Sequence, residues 1–374
     1  MISSSVLADL HLKEYWMVDE FFKANPEQLE RSEAFNLRVQ SQPKRLINNT
    51  DSARILVIYP GLQTSDYWRR SIHAFEHRLK QLGIRYQLDV HFTKPGSDLN
   101  LQAKLLTQSL GDTTDYLVFT LDAIKHQKLI EQVKHQTQTK IILQNITTPL
   151  RAFSKQQPFL YVGFDHAIGT QLLVQEYQTR FPQGANYGIL FGTQGYVSKI
   201  RGGLFESQMR AAHNFHLKDS YYVDFDRAKA KAATLQLIKD HHQPDASADT
   251  NAGTHTNKLD FIYATSTDIA LGALDALKEL GLEQDIQING WGGGSSELNS
   301  LKAKELSFTV MRMNDDNGVA MAEAIGLDLL GKSDQVPTIY SGSFRLVDQT
   351  IKPKQLNRFE SRAFRYSNLS SETH

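Results

Sequence analysis

Short apolar runs alternate along this chain with longer stretches in which apolar residues recur every three or four positions. The apolar runs fall at 54–59 (RILVIY), 86–93, 115–121, 140–146 and 159–164, with helical patterns between them near 67–82, 99–110 and 124–136. Runs that are apolar on both faces suit the covered strands of a parallel sheet, and their alternation with amphipathic helices indicates βαβ units. The pattern restarts after Tyr161-Val162-Gly163-Phe164-Asp165, with helices at 166–181, 199–214, 227–241 and 267–280 and strands at 187–191, 220–223, 259–264 and 286–289. In the helix at 267–280, Ile269, Ala273, Leu274, Leu277 and Leu280 share a face and Gly281 is placed as its C-cap. The expectation is an α/β protein of two lobes with parallel central sheets. After Trp291 come a glycine-rich turn, a helix at 297–304, a strand at 306–312, a helix at 316–330 and an extended segment at 337–346, read as elements returned to the existing lobes. The expected division is a first lobe of 51–162 plus 292–312 and a second of 163–291 plus 313–374. Residues 1–50 are expected to form a helical arm packed on the body, with Tyr15, Trp16, Val18, Phe21 and Phe22 on the apolar face of a helix at 10–39 and a linker at 40–52.

Composition narrows the function classes. The 374 residues are 40% hydrophobic and 22% charged with zero formal net charge, which gives no electrostatic footprint for nucleic acid or an anionic membrane. No apolar run approaches the roughly 20 residues of a membrane span. The absence of cysteine excludes disulfides, iron–sulfur clusters and thiol catalysis. The first residues lack the basic and apolar regions of a signal peptide, so the reading is a cytoplasmic protein or one whose signal peptide is missing from this sequence. The polar stretch 243–257 is expected to be a mobile surface loop, and its His255, with His241 and His242, lacks the spacing of a metal site.

The stretch Tyr59–Trp68 (YPGLQTSDYW) follows the first strand and opens the first long helix. Ligands of open α/β sheets bind at the carboxyl ends of strands. Gly61 permits close backbone approach, Gln63 and Ser65 can exchange hydrogen bonds, and Tyr67 and Trp68 offer flat apolar faces. A turn with Ser65 or Asp66 as N-cap and Trp68 in the core explains the same residues. Residues 326–333 (GLDLLGKS) satisfy the P-loop pattern, but they close a helix instead of opening one, so the match is false. The turn Asn289–Ser295 (NGWGGGS) reads as a flexible crossover between lobes, with Trp291 at a strand's carboxyl end. Arg201 and Arg312 each lie where a strand meets a crossing or cleft, and a converging pair would neutralise an anion. No nucleophile, base and orienting group can be assembled, which points to binding and not to an enzyme.

The segments YPGLQTSDYW, LQNITTP, QPFLYVGFDHA, INGWGGGS, VMRMNDDNGVAMAEAI and RAFRYSN resemble the type I periplasmic binding proteins, and among them the LuxP family of autoinducer-2 receptors, from about residue 14 to residue 368. That resemblance implies two Rossmann-like lobes joined by a three-crossing hinge, closing on a ligand between them. It implies autoinducer-2 bound as its furanosyl borate diester, with boron present only as part of the ligand and no cofactor or metal. Gln63, Ser65, Trp68 and Asn145 are then ligand contacts of the first lobe, with Tyr67 and Asp122 nearby. Arg201, Thr267 and Trp291 come from the second, and Arg312 from the last crossing. The implied location is the periplasm, and the implied partner is the periplasmic domain of the sensor kinase LuxQ. A sugar-binding protein of the same fold that feeds a transporter is the competing reading. A DNA-binding regulator of this fold would carry a helix-turn-helix ahead of residue 54, where the chain shows only an aromatic-rich helical segment.

Overall fold

The computed structural model describes residues 12–46, 52–95, 97–109, 114–121, 124–154, 156–242 and 258–368. The chain divides into two compact units. The first holds residues 12–165, 312–344 and 352–368, and the second holds 166–311 and 345–351.

In the first unit β1 (Ser52–Tyr59), β2 (Arg85–Phe92), β3 (Tyr116–Phe119), β4 (Lys140–Gln144), β5 (Leu160–Phe164) and β11 (Ile339–Gly342) form one sheet in the order β11-β5-β4-β3-β1-β2. Strands β3 and β5 are buried along their whole length and β1 and β4 over most of theirs, whereas β2 alternates between exposed and half-buried positions, as a charged edge strand does. Helices α3 (Tyr67–Leu82), α4 (Leu99–Ser109) and α5 (Ile124–Gln136) connect the parallel strands. The second unit repeats the plan. Strands β6 (Ala185–Phe191), β7 (Phe215–Tyr222), β8 (Phe261–Ala264), β9 (Gln287–Gly292), β10 (Phe308–Arg312) and β12 (Phe344–Asp348) lie in the order β12-β10-β9-β8-β6-β7. They alternate with α6 (His166–Arg180), α7 (Leu204–Ala211), α8 (Arg227–His241), α9 (Thr267–Leu280) and α10 (Ser295–Lys302). Both sheets therefore reverse direction between their first and third strands, β1/β3 and β6/β8, the switch points at whose carboxyl ends such folds bind ligands.

Several expectations need correction. The segment 10–39 is not one helix: α1 (Val18–Ala24) and α2 (Pro26–Gln40) are separated at Asn25, because Pro26 starts a new helix with its fixed φ and absent N–H. Tyr15 and Trp16 precede both helices; Tyr15 bridges to Leu150, and Trp16 lies under the Arg151 guanidinium. The returned segments belong to the opposite units from those expected. Residues 292–311 stay in the second unit because β10 pairs with β9. Residues 313–344 and 352–368 join the first, where α11 (Asp315–Leu329) packs on α3 and β11 pairs with β5. The single strand expected at 337–346 is two strands in two sheets, parted at Ser343. A helix that the sequence pattern left unread, α12 (Pro353–Ala363), follows it. Unit assignment changes at 165/166, 311/312, 344/345 and 351/352, so the third passage between units runs out and back. In α9, Leu280 is 45% exposed and not part of the buried face, while Gly281 does end the helix at φ +67°. Gly326 lies inside α11 and Gly331 just beyond its end at φ +69°, which is not P-loop geometry. The stretch 243–257, with its expected loop and His255, lies outside the described residues.

Candidate functional site

At the first unit's carboxyl edge, β1 ends at Tyr59 and the chain turns through Gly61 to α3. A side chain on Gly61 would displace Phe92, because a Cβ there would lie 2.2 Å from its ring. Gln63 and Ser65 are half-buried on this turn. The Gln63 amide donates to the Pro60 carbonyl at 2.6 Å, and the Ser65 hydroxyl accepts from the Tyr67 N–H at 3.5 Å. Asp66 occupies the N-cap position, but its carboxylate makes no capping bond and instead receives Arg70 at 2.7 Å.

Tyr67 and Trp68 are buried, Trp68 as the packing alternative expected, with ring centroids 4.7 Å apart, and Trp68 also lies 4.6 Å from Tyr59. Gln144, the last residue of β4, joins this cluster. It accepts from the Tyr59 hydroxyl and donates to the Tyr67 and Ser71 hydroxyls at 3.1 and 2.9 Å. Burial pushes the Tyr59 phenol well above its ordinary range, so it stays a neutral donor. Asn317 of α11 donates to the Tyr67 hydroxyl at 2.8 Å. Arg312, buried, stacks on Tyr67 with its guanidinium carbon 4.4 Å from the ring centre. Asn145 follows β4 at φ +65°, half-buried, a left-handed position that asparagine tolerates better than most residues. Asp122 lies outside the described residues.

In the second unit, β6 leads to a helical turn Tyr196–Ser198 and a π-helical segment Lys199–Gly203 before α7. Arg201 sits in that π segment, 3% exposed. Gly202 allows the segment to approach β6, since a Cβ there would meet the Phe191 ring at 2.3 Å. The Arg201 guanidinium lies 3.9 Å over the Trp291 ring, donates to the Thr265 carbonyl at 3.0 Å and faces His166 Nδ1 at 3.5 Å. Thr267, buried, is the first residue of α9.

The glycine turn is not a flexible crossover, and it remains within the second unit. Gln287–Gly292 is a strand, and the buried Glu297 carboxylate accepts the Trp291 and Gly293 N–H groups at 3.1 and 2.8 Å and the Thr309 hydroxyl at 2.5 Å. The glycines serve that packing: a Cβ on Gly290 would lie 2.4 Å from Glu297 Oε2, and one on Gly293 would lie 2.5 Å from Met311.

The structure thus gathers Tyr67, Trp68 and Arg312 into one cluster of the first unit and Arg201 and Trp291 into one of the second. It adds three groups that sequence reasoning passed over: Gln144, His166 and Tyr263, the last fully buried in β8. Gln144 and His166 carried a signal in their places at the end of one strand and just after another. Tyr263 reads as core by any pattern. The first cluster offers amides, hydroxyls, aromatic faces and a buried cation, and the second a hydroxyl, an imidazole, aromatic faces and a buried cation, groups whose chemistry suits a small polar ligand. Among the described residues, no group of histidines and carboxylates could hold a metal ion, and no helix is long and apolar enough to cross a membrane.

A family model described as a periplasmic binding protein domain matches residues 55–333. Among curated proteins, the ribose import binding protein RbsB of Salmonella typhimurium is 26% identical over 215 residues, covering 58% of this chain and 66% of that protein, just under two thirds of its length. Among solved structures, a solute binding protein from Agrobacterium vitis bound with α-D-tagatopyranose matches at TM-score 0.69 and 14% identity, covering 82% of this chain and 98% of that one. One from Actinobacillus succinogenes with bound D-allose matches at 0.66 and 17%, covering 79% and 98%. The XylFII–LytSN complex matches at 0.63 and 15%, covering 80% and 99%. These structures share the fold, and the named relatives are binding proteins, not enzymes. With the model spanning most of both units, this chain belongs to the periplasmic binding protein family.

Proposed function

We propose that the chain is a periplasmic receptor for a small, hydroxyl-rich solute of the sugar class, bound by the strand-end residues of its units. The placement of Asn145 and Trp291 at carboxyl ends of strands, of Gln63 and Ser65 on the turn after β1, and of Arg201 in the π segment that follows β6 carries the reading. Ribose, D-allose and α-D-tagatopyranose in the names of the matched proteins support it. They back a sugar ligand better than autoinducer-2.

A specific observation favours a second reading. Each unit holds a buried arginine over an aromatic ring, Arg201 on Trp291 and Arg312 on Tyr67. A neutral sugar needs no such pair. An anion taken out of water does, because its desolvation costs several kcal/mol unless charge and hydrogen bonds offset it. The furanosyl borate diester of autoinducer-2 has that charge, and the motif resemblance to the LuxP family supports it. On this reading Arg201 and Arg312 neutralise the borate, while Gln63, Ser65, Trp68, Asn145, Thr267 and Trp291 bind the ring and its hydroxyls. The partner is then the periplasmic domain of a LuxQ-type sensor kinase. XylFII, similar in fold, is itself found in complex with LytSN.

Calorimetric titration with D-ribose, D-allose and autoinducer-2, the last with and without borate, separates the readings. Binding of the sugars alone removes the second reading, and borate-dependent binding of autoinducer-2 removes the transporter alternative. No binding of any of them overturns both. On the second reading, Arg201→Met and Arg312→Met each weaken binding by about 2–5 kcal/mol, as for a buried charge left without its partner.

A further inference from the structure

We propose that Tyr263 is a positioning residue for the ligand, its single hydroxyl setting both Arg201 and Trp291 without reaching the ligand itself. The inference rests on the reading above, in which those two residues face the solute.

The Tyr263 side chain is 0% exposed in β8, its ring stacked on Phe205 at 3.6 Å between centroids and 12° between planes. That stack fixes the direction of the hydroxyl. The hydroxyl donates to the Arg201 carbonyl at 3.0 Å and accepts the Trp291 indole N–H at 3.4 Å. A π-helical turn shifts backbone carbonyls out of the regular helical ladder, and such turns recur at functional sites. Here the shifted carbonyls are taken up by side chains. Thr170 of α6 also donates to the Ile200 and Arg201 carbonyls, at 3.3 and 3.5 Å. One oxygen therefore holds the backbone that carries the guanidinium and the edge of the ring on which that guanidinium rests, 3.9 Å above it. The backbone N–H of Trp291 is held separately, by the Glu297 carboxylate at 3.1 Å. The rival account makes Tyr263 a core aromatic and nothing more. Phenylalanine keeps the ring and its stack on Phe205, so the substitution separates the two accounts.

The test uses the full chain with Tyr263→Phe. The readouts are the Kd for D-ribose and for autoinducer-2 with borate, the melting temperature, and the ligand-free emission of Trp291 in a Trp16→Phe/Trp68→Phe background. The expected result is a tenfold or so loss of affinity for whichever ligand the parent binds, a melting temperature within a few degrees of the parent, and a shifted Trp291 emission. In a Trp291→Phe background, which lacks the indole N–H, the same substitution costs clearly less affinity. Unchanged affinity with unchanged emission overturns the proposal, as does a loss of affinity that is fully additive with Trp291→Phe. If the parent binds neither probe, the functional reading fails by itself, and the emission decides whether Tyr263 positions Trp291. If Tyr263→Phe does not fold, Thr170→Val removes the other donor to the Arg201 carbonyl. It is expected to weaken binding severalfold, and unchanged affinity there overturns the proposal.

Discussion

Replacing Glu323 tests what ties α2 and α3 to α11. Its carboxylate, on α11, lies between two guanidiniums: Arg78 Nε of α3 at 2.8 Å and Arg38 Nε of α2 at 2.5 Å. The two pairs differ in solvent access. Arg78 has 0% of its side chain exposed and Glu323 2%, whereas Arg38 is 33% exposed. Breaking a buried pair by removing one partner costs about 3–5 kcal/mol, since the other charge is left uncompensated. The Arg38 pair is screened by water and contributes at most about 1 kcal/mol. The expected order is therefore Glu323→Leu and Arg78→Met, each at about 3–5 kcal/mol, and Arg38→Ala at no more than about 1. At about 2–4 °C per kcal/mol for a unit of this size, the two large losses lower the melting temperature by roughly 6–20 °C. Urea unfolding followed by circular dichroism, with calorimetry alongside, measures both quantities. The double variant Arg78→Met/Glu323→Leu should lose clearly less than the sum of the singles, because it leaves no charge stranded in that pair. An Arg38→Ala loss as large as that of Arg78→Met would refute the reasoning, since solvent access could not then be what ranks the two pairs.

Two further outcomes follow from local geometry. Burial by itself would raise the Asp328 carboxyl, but hydrogen bonds from Lys140, Ser333 and Tyr116 outweigh it and hold the group below its ordinary value. A carboxyl depressed in the folded state stabilises above its unfolded pKa and loses that contribution as pH falls through the folded one. Asp328→Asn should thus be less stable than the parent at neutral pH, and the gap should narrow below about pH 4 in denaturation series run at several pH values; a gap that stays constant down to pH 2 counts against this. Gly290→Ala places a methyl 2.4 Å from Glu297 Oε2 and 2.8 Å from Thr309 Oγ1, so about 1–3 kcal/mol of stability should be lost on urea unfolding, together with ligand affinity by titration; a neutral substitution would show that the turn can yield.

The alternation of apolar runs and amphipathic helices makes the two-lobe parallel-sheet fold legible in the sequence. Helices α3, α5, α8 and α9 begin and end where the pattern put them. Such periodicity depends only on local contacts with a covered sheet. It could not say which sheet a returning strand joins, since nothing within β10 or β11 names its partner, β9 for the one and β5 for the other. The run at 337–346 shows the same limit, because extended backbone on either side of Ser343 looks continuous until its partners are known. The break at Asn25-Pro26 is marked by the proline but masked by the apolar spacing around it. At the candidate site, the places of Gln63 and Trp291 near strand ends are readable from the alternation itself, whereas Asn145 comes only from the motif resemblance. The π segment under Arg201, and the buried carboxylate and phenol that hold Trp291, left no mark in periodicity. Glu297 sits in a short helix that reads as solvent-facing, and Tyr263 sits in an apolar run that reads as core.

The two units meet the same mechanical demand in the same way. Binding residues projected from strand ends are held in place only if the strand ends are locked. Each unit puts a buried amide on its fourth strand in chain order: Gln144 on β4 and Asn289 on β9, both 0% exposed. Gln144 ties β4 to the Tyr59 end of β1 and to Tyr67 and Ser71 of α3. Asn289 donates to the Ala264 carbonyl at 2.9 Å, accepts the Ala264 N–H at 3.0 Å and accepts the Tyr177 hydroxyl at 3.0 Å, so it ties β9 to the end of β8 and to α6. A primary amide donates and accepts at once, which lets one side chain bridge neighbouring elements with no charge to desolvate. An aliphatic residue there would fill the same volume but leave Tyr67 and the Ala264 backbone without these partners inside the core. Each strand-end edge is therefore braced by a buried, uncharged polar group, and the arginine-bearing clusters on Tyr67 and Trp291 sit beside these braces.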